Sequence, residues 1–213
     1  NIPLVGITSS HTWVHQGPLW TYLLALPLLV SNFNPVSGAY FTAFLGVATV
    51  FLMYKVGTAM FSKNLGLIAA ALYATSPLAV IHSRIPYHTS IIPLVTLLFI
   101  FFIFKWVKGN IFYLPFVFLT LGVLYNLELV TMVFWIFLLM VYVYGFIKKE
   151  KWAREATKFK IMFFSIFLFL LTLLPMMIYD IREATGFFQT TAFFRLIKIY
   201  LFSGGHSLSF ESI

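Results

Sequence analysis

Residues 129–179 read LVTMVFWIFLLMVYVYGFI, then KKEKWAREATKFK, then IMFFSIFLFLLTLLPMMIY. Two apolar runs of nineteen residues flank thirteen residues that carry six cations and two acids. Each run is close to the about 20 residues that a helix rising 1.5 Å per residue needs to cross bilayer hydrocarbon. Basic residues are retained on the cytoplasmic side of a membrane protein, so Lys148, Lys149, Lys151, Arg154, Lys158 and Lys160 place this gap inside. The pattern repeats upstream, where Lys55 with Lys63 and Lys105 with Lys108 fill two further gaps. Ten of the fourteen Lys and Arg residues thus fall in three gaps, and the others hold only Arg84, Arg182, Arg195 and Lys198. That asymmetry orients every helix.

Composition agrees. The chain of 213 residues is 61% hydrophobic and 9% charged, far too apolar for a soluble domain of this size. Its net charge of +8 does not read as a nucleic-acid surface, because the cations separate apolar runs instead of lining a polar face. With no cysteine, disulfides and thiolate metal sites are excluded. The chain starts at Asn1 without a signal-peptide pattern and stops at Ile213 without a closing element, so it reads as a fragment truncated at both ends.

The predicted fold is all-α: a polytopic membrane helical bundle with about six spanning helices. The segments are 37–58, 64–83, 88–107, 110–126, 129–147 and 161–179, with a tight inner turn at Gly109-Asn110. A shorter apolar run, from Gly17 to about Asn32, contains Pro18 and Pro27. Had it crossed the membrane, every later helix would invert, so it is placed as a re-entrant or juxtamembrane segment with both ends outside. Pro27 removes a backbone donor, which predicts non-helical backbone covered by protein or facing a wet cavity. The Phe-rich stretch 187–202, with Arg195 and Lys198, predicts an outer interfacial helix. One domain results: 1–36 ends the first outer loop, 37–179 forms the helices, and 180–213 is an outer loop with its interfacial helix.

Given this orientation, the outer mouth holds His11, His15, Gln16, Arg84, Tyr87, His88, Asn126, Glu128, Asp180, Arg182, Glu183 and His206. Interfaces collect polar residues in any membrane protein. A metal site is compatible with five histidines, although no ligand spacing such as HExxH occurs. The third reading is a pocket for an anionic lipid-linked substrate, with Arg84 and Arg182 on phosphate oxygens. At the end of an apolar helix, Arg84 needs a partner, and a phosphate or Glu128 would serve.

Three stretches resemble one family. His15-Gln16-Gly17-Pro18-Leu19-Trp20 is similar to the motif that closes the first outer loop of many membrane glycosyltransferases. Asn64-Leu65-Gly66-Leu67-Ile68-Ala69-Ala70-Ala71-Leu72-Tyr73-Ala74-Thr75-Ser76-Pro77, with Ser83-Arg84 following, resembles a second signature. Leu174-Pro175 through Asp180-Ile181-Arg182 to Gly186-Phe187 resembles a third. Order and spacing resemble the protein O-mannosyltransferase and aminoarabinose-transferase group of the glycosyltransferase C superfamily, over about two thirds of the chain.

The resemblance implies an enzyme of the cell membrane whose active face is periplasmic or extracellular. It would take a sugar from a polyprenyl-phosphate donor and pass it, with inversion, to a lipid, glycan or protein hydroxyl. It also implies a catalytic Asp in the first outer loop, upstream of the Gly-Pro-Leu motif. No acid precedes Glu128 here, so the catalytic residue is unknown and the fragment is expected to be inactive. The residues expected to bind substrate are His15, Gln16, Arg84, His88, Glu128, Asp180 and Arg182, with Asp180 orienting Arg182. Trp13, Trp20, Tyr22, Tyr87 and Phe187 are candidates for sugar stacking or prenyl contact. No cofactor is assigned, and a divalent metal remains compatible. Two other classes stay open: a transporter, against which the apolar mid-helix positions and lack of repeats argue, and a non-catalytic assembly subunit.

Overall fold

The structure is a computed structural model and describes residues 3–8, 15–183 and 189–191. Its helices are α1 (Leu19–Val30), α2 (Val36–Met60), α3 (Lys63–Thr75), α4 (Pro77–His82), α5 (Ile92–Val107), α6 (Leu114–Leu127), α7 (Val133–Ile147), α8 (Lys151–Ala156) and α9 (Phe159–Arg182). Tight 3₁₀ turns at His88–Ile91, Ile111–Tyr113 and Leu129–Met132 lead into α5, α6 and α7. An all-α membrane bundle is what the sequence predicts, and all six expected segments are helical.

Four of them are single segments long and apolar enough to cross a membrane: Val36–Met60, His88–Val107, Leu129–Ile147 and Phe159–Arg182. The fourth expected span is the shorter Ile111–Leu127. The second is not continuous. Ser76 leaves the helix with φ −66° and ψ 121°, and Pro77 starts α4 at its first turn. Proline there lacks only an N–H that a helix start leaves free, so α3 and α4 are two helices separated by a single extended residue.

Helices α2 and α3 approach through small residues: a Cβ added to Gly57 would lie 2.7 Å from Gly66 Cα. Lipid offers no hydrophobic drive between helices, so close backbone packing of this kind holds them together. Phe99, Val117, Leu121, Leu124 and Leu127 are completely buried and join α5 to α6. At the other end Trp106 stands edge-on to Trp152 of α8, with ring centroids 4.9 Å apart. The inner turn forms as expected, with Gly109 at φ +97°, where a side chain would be strained.

Helix α1 has twelve residues, too few to span, and both ends sit at one end of the bundle. Gly17 N–H donates to Asn126 O at 2.9 Å, and Gly38, just inside α2, lies against Leu24 and Pro86. The helix continues through Pro27, contrary to the expected loss of helix there: Pro27 opens the last turn, where Ser31 N–H still donates to its carbonyl at 3.1 Å, and only the bond its own N–H would give Leu23 O is missing. Residues 189–191 form a turn, where the start of an interfacial helix was expected. The rest of 187–202 lies outside the described residues.

Candidate functional site

The start of α5 with the turn that leads into it, the ends of α6 and α9 and the start of α1 meet at the end of the bundle opposite the lysine-rich turns. Chain entry is fixed by a short antiparallel pairing: Gly6 N–H donates to Gln16 O at 2.8 Å, and Gln16 N–H to Ile7 O at 3.0 Å. The next residue, Gly17, packs so tightly on α6 that a Cβ there would meet Asn126 Oδ1 at 1.9 Å. Asn126 is pinned in turn, donating to Gly122 O at 3.2 Å and across to Thr172 O of α9 at 2.9 Å.

This docking delivers Gln16 to a triangle of side chains. Its Nε2 lies 3.1 Å from His88 Nε2 and 3.0 Å from Glu128 Oε2, and the last two are 3.0 Å apart. Gln16 and His88 are buried at 6% and 2% exposure, whereas the Glu128 side chain keeps 27%. Gln16 Nε2 donates to Glu128 Oε2, and His88 Nε2 donates to the same carboxylate when it carries the ring hydrogen or accepts from Gln16 when it does not. His15 Nδ1, Gln16 Oε1, His88 Nδ1 and Asn126 Oδ1 are buried without a protein partner among the described residues. Four such atoms at one place give the site hydrogen-bonding capacity that the protein itself does not use.

A second set adjoins it. His15 N–H donates to Gln189 Oε1 at 2.8 Å, and its ring lies 6.4 Å from that of Tyr179. Burial holds the His15 imidazole below its ordinary 6.5. Asp180, 2% exposed, accepts from Gln189 N–H at 2.9 Å and from the Thr190 N–H and hydroxyl at 2.8 and 2.6 Å. It therefore pins the chain after α9 against His15. It does not orient Arg182, which points outward and lies 3.7 Å from Glu183. A buried carboxylate takes the nearest donors, and the 189–190 backbone supplies them.

Arg84 likewise lacks the expected link to Glu128, since His88 and Gln16 occupy that carboxylate. Its side chain is exposed and makes no hydrogen bond or ion pair among the described residues. Both side chains are exposed, Arg84 four residues before His88 and Arg182 two residues after Asp180. Of the aromatic candidates, Trp20 is buried against Phe41, and Tyr22 hydrogen-bonds Pro3 O. Tyr87 keeps 47% exposure and lies tilted against the His88 ring, centroids 4.0 Å apart, so part of its ring is open to a ligand. Trp13, Phe187, His11 and His206 lie outside the described residues. Among the described residues no three His, Cys, Asp or Glu side chains are placed to hold a metal.

The sequence reading missed Gln189 and Thr190, which carry the second set, and gave Asn126 no role beyond its place at the mouth. An Asn at a helix end two residues before the acidic Glu128 was the available signal for the last.

The model of the family described as dolichyl-phosphate-mannose-protein mannosyltransferase matches residues 15–179. The chain belongs to that family. Membership makes this mannosyltransferase-family protein a membrane glycosyltransferase, and the match starts at His15, the first residue of the docking segment. No curated protein and no solved structure matches it.

Proposed function

We propose that this end of the bundle binds a polyprenyl-phosphate-linked sugar and serves its transfer to a lipid, glycan or protein hydroxyl on the outer face. One observation carries the reading. Gln16, His88 and Glu128, 72 and 112 residues apart in pairs with Gln16, meet within 3.1 Å. In this reading the two guanidinium groups take carrier phosphate oxygens in charge-assisted pairs. Gln16 and His88 hold Glu128 in place, and its exposed edge accepts from sugar or acceptor hydroxyls. His15 and Asp180 keep the loop at 189–190 closed against the site. The resemblance puts the carboxylate base for the attacking hydroxyl upstream of the Gly17-Pro18-Leu19 motif, so the reading is tested here on binding.

The experiment is equilibrium binding of a polyprenyl phosphate to the chain in lipid nanodiscs. A hydrogen bond to a charged group contributes about 1.5–3 kcal/mol, so Arg84→Ala and Arg182→Ala should each weaken binding about 10- to 150-fold. Both variants should still insert and fold, since each side chain is exposed. Unchanged affinity in both would remove the phosphate assignment.

A further inference from the structure

Residues 83–91 turn the chain from α4 into α5, and this one turn carries both Arg84 and His88. Arg84, Ile85, Pro86 and Tyr87 are all exposed, so side-chain burial does little to fix their backbone. Helix α2 touches the turn at two points. A Cβ on Gly46 would lie 2.8 Å from Ser83 Cβ, and one on Gly38 would lie 3.1 Å from Pro86 Cβ. Everything else that holds the turn is a hydrogen bond.

Ser90 supplies the bonds that cross it. The side chain is 7% exposed, and its hydroxyl lies 2.7 Å from His82 O and 2.8 Å from Ile85 O. A hydroxyl has a single hydrogen, so the two carbonyls share it in a three-centre bond. Those carbonyls bracket Arg84, one on either side of it in sequence. Local backbone bonds run from Arg84 N–H to Ile81 O at 3.1 Å and from Tyr87 N–H to Ile85 O at 2.8 Å. Neither reaches the 3₁₀ turn that carries His88. Thr89 Oγ1 adds a longer contact, 3.3 Å from His82 Nδ1. A cavity of about 300 Å³ lies beside this clasp, with Tyr73, His82, Ser83, Thr89 and Ser90 in its wall. Without the hydroxyl, the segment around Arg84 therefore has space to shift.

We propose that Ser90 is a positioning residue for the lipid-linked donor. By clasping both flanks of Arg84 to the turn of His88, it sets the offset between the guanidinium and the Gln16–His88–Glu128 triangle. One carrier molecule can then place its phosphate on Arg84 and its sugar at the open edge of Glu128. The inference rests on the phosphate role of Arg84 proposed above and adds the residue that holds Arg84 in register. Ser90 itself touches neither phosphate nor sugar. It acts through Arg84, so its contribution to binding should vanish when Arg84 is gone.

The test is a double-mutant cycle on polyprenyl phosphate binding to the whole chain in nanodiscs, with wild type, Ser90→Ala, Arg84→Ala and the pair. Ser90→Ala should weaken binding about three- to tenfold, the effect of one hydrogen bond, when Arg84 is present. In the Arg84→Ala background the same change should cost less than about twofold. Ser90→Thr keeps the hydroxyl, and the adjoining cavity has room for its methyl, so it should restore the affinity. A purely structural serine would lower the thermal midpoint and leave the affinity of the folded chain unchanged, and that result overturns the proposal. So does an equal loss with and without Arg84, or a loss in Ser90→Thr as large as in Ser90→Ala; all three leave the phosphate reading standing. Unchanged affinity in Arg84→Ala removes both. Should Ser90→Ala fail to fold, Ser90→Cys keeps the volume with a weaker donor. It should show a smaller loss with the same dependence on Arg84, and an additive loss there overturns the proposal as well.

Discussion

Replacing Gly17 by alanine probes how the outer site is assembled. The new Cβ would lie 1.9, 2.5 and 2.9 Å from Oδ1, Cγ and Cα of Asn126, where ordinary contacts are 3.4–4 Å. Asn126 cannot swing aside, since its amide is held by Gly122 O and Thr172 O, and the third contact is backbone. Relief requires the chain to lift off α6 and give up the Gly17 N–H bond to Asn126 O. Overpacking costs about 1–3 kcal/mol and a lost hydrogen bond about 0.5–1.5, so we expect about 2–4 kcal/mol. Gln16 leaves the triangle with it. Hydrogen exchange on the chain in nanodiscs should show faster exchange at residues 15–18 with α5 and α6 still protected. Thermal unfolding should shift downward, and polyprenyl phosphate binding should weaken. Adding Asn126→Gly should recover part of the loss, because the two residues are in contact. A Gly17→Ala chain within about 0.5 kcal/mol of wild type, with unchanged exchange, would refute the docking.

Two further outcomes follow from the same geometry. Burial lowers the His15 pKa below 6.5, so the unfolded chain binds that proton first. The contribution of neutral His15 is complete above about pH 6.5 and is lost as pH falls towards the lowered value. Thermal midpoints between pH 7.5 and 5.5 should therefore drop less in His15→Phe than in wild type; equal drops contradict this. Orientation is tested by single cysteines at Tyr87 and Lys149, both exposed in the structure. In intact cells an impermeant maleimide should label position 87 only, and labelling at 149 alone would invert the topology.

Much of the fold was legible because two separate signals agreed. Apolar length gave the spans, and the lysines of 55–63, 105–108 and 148–160 marked the turns between them. The break at Ser76-Pro77 escaped because the apolar pattern runs unbroken across it, although the proline itself was the cue. The site was legible only as a set of residues at one end. Which of them touch depends on the rotation of each helix, and at 3.6 residues per turn one position decides whether a side chain faces its neighbour. Glu128 thus meets His88 and not Arg84, and Asp180 meets a turn ten residues on and not Arg182. Neither pairing leaves a mark in local sequence.

The most direct measurement of the central claim is photo-crosslinking with a polyprenyl phosphate bearing a diazirine beside the phosphate. The account predicts adducts in peptides that contain residues 15–20, 84–88 and 182, competed by unlabelled polyprenyl phosphate and lost in Arg84→Ala. Adducts confined to the 105–110 or 148–160 segments would contradict it.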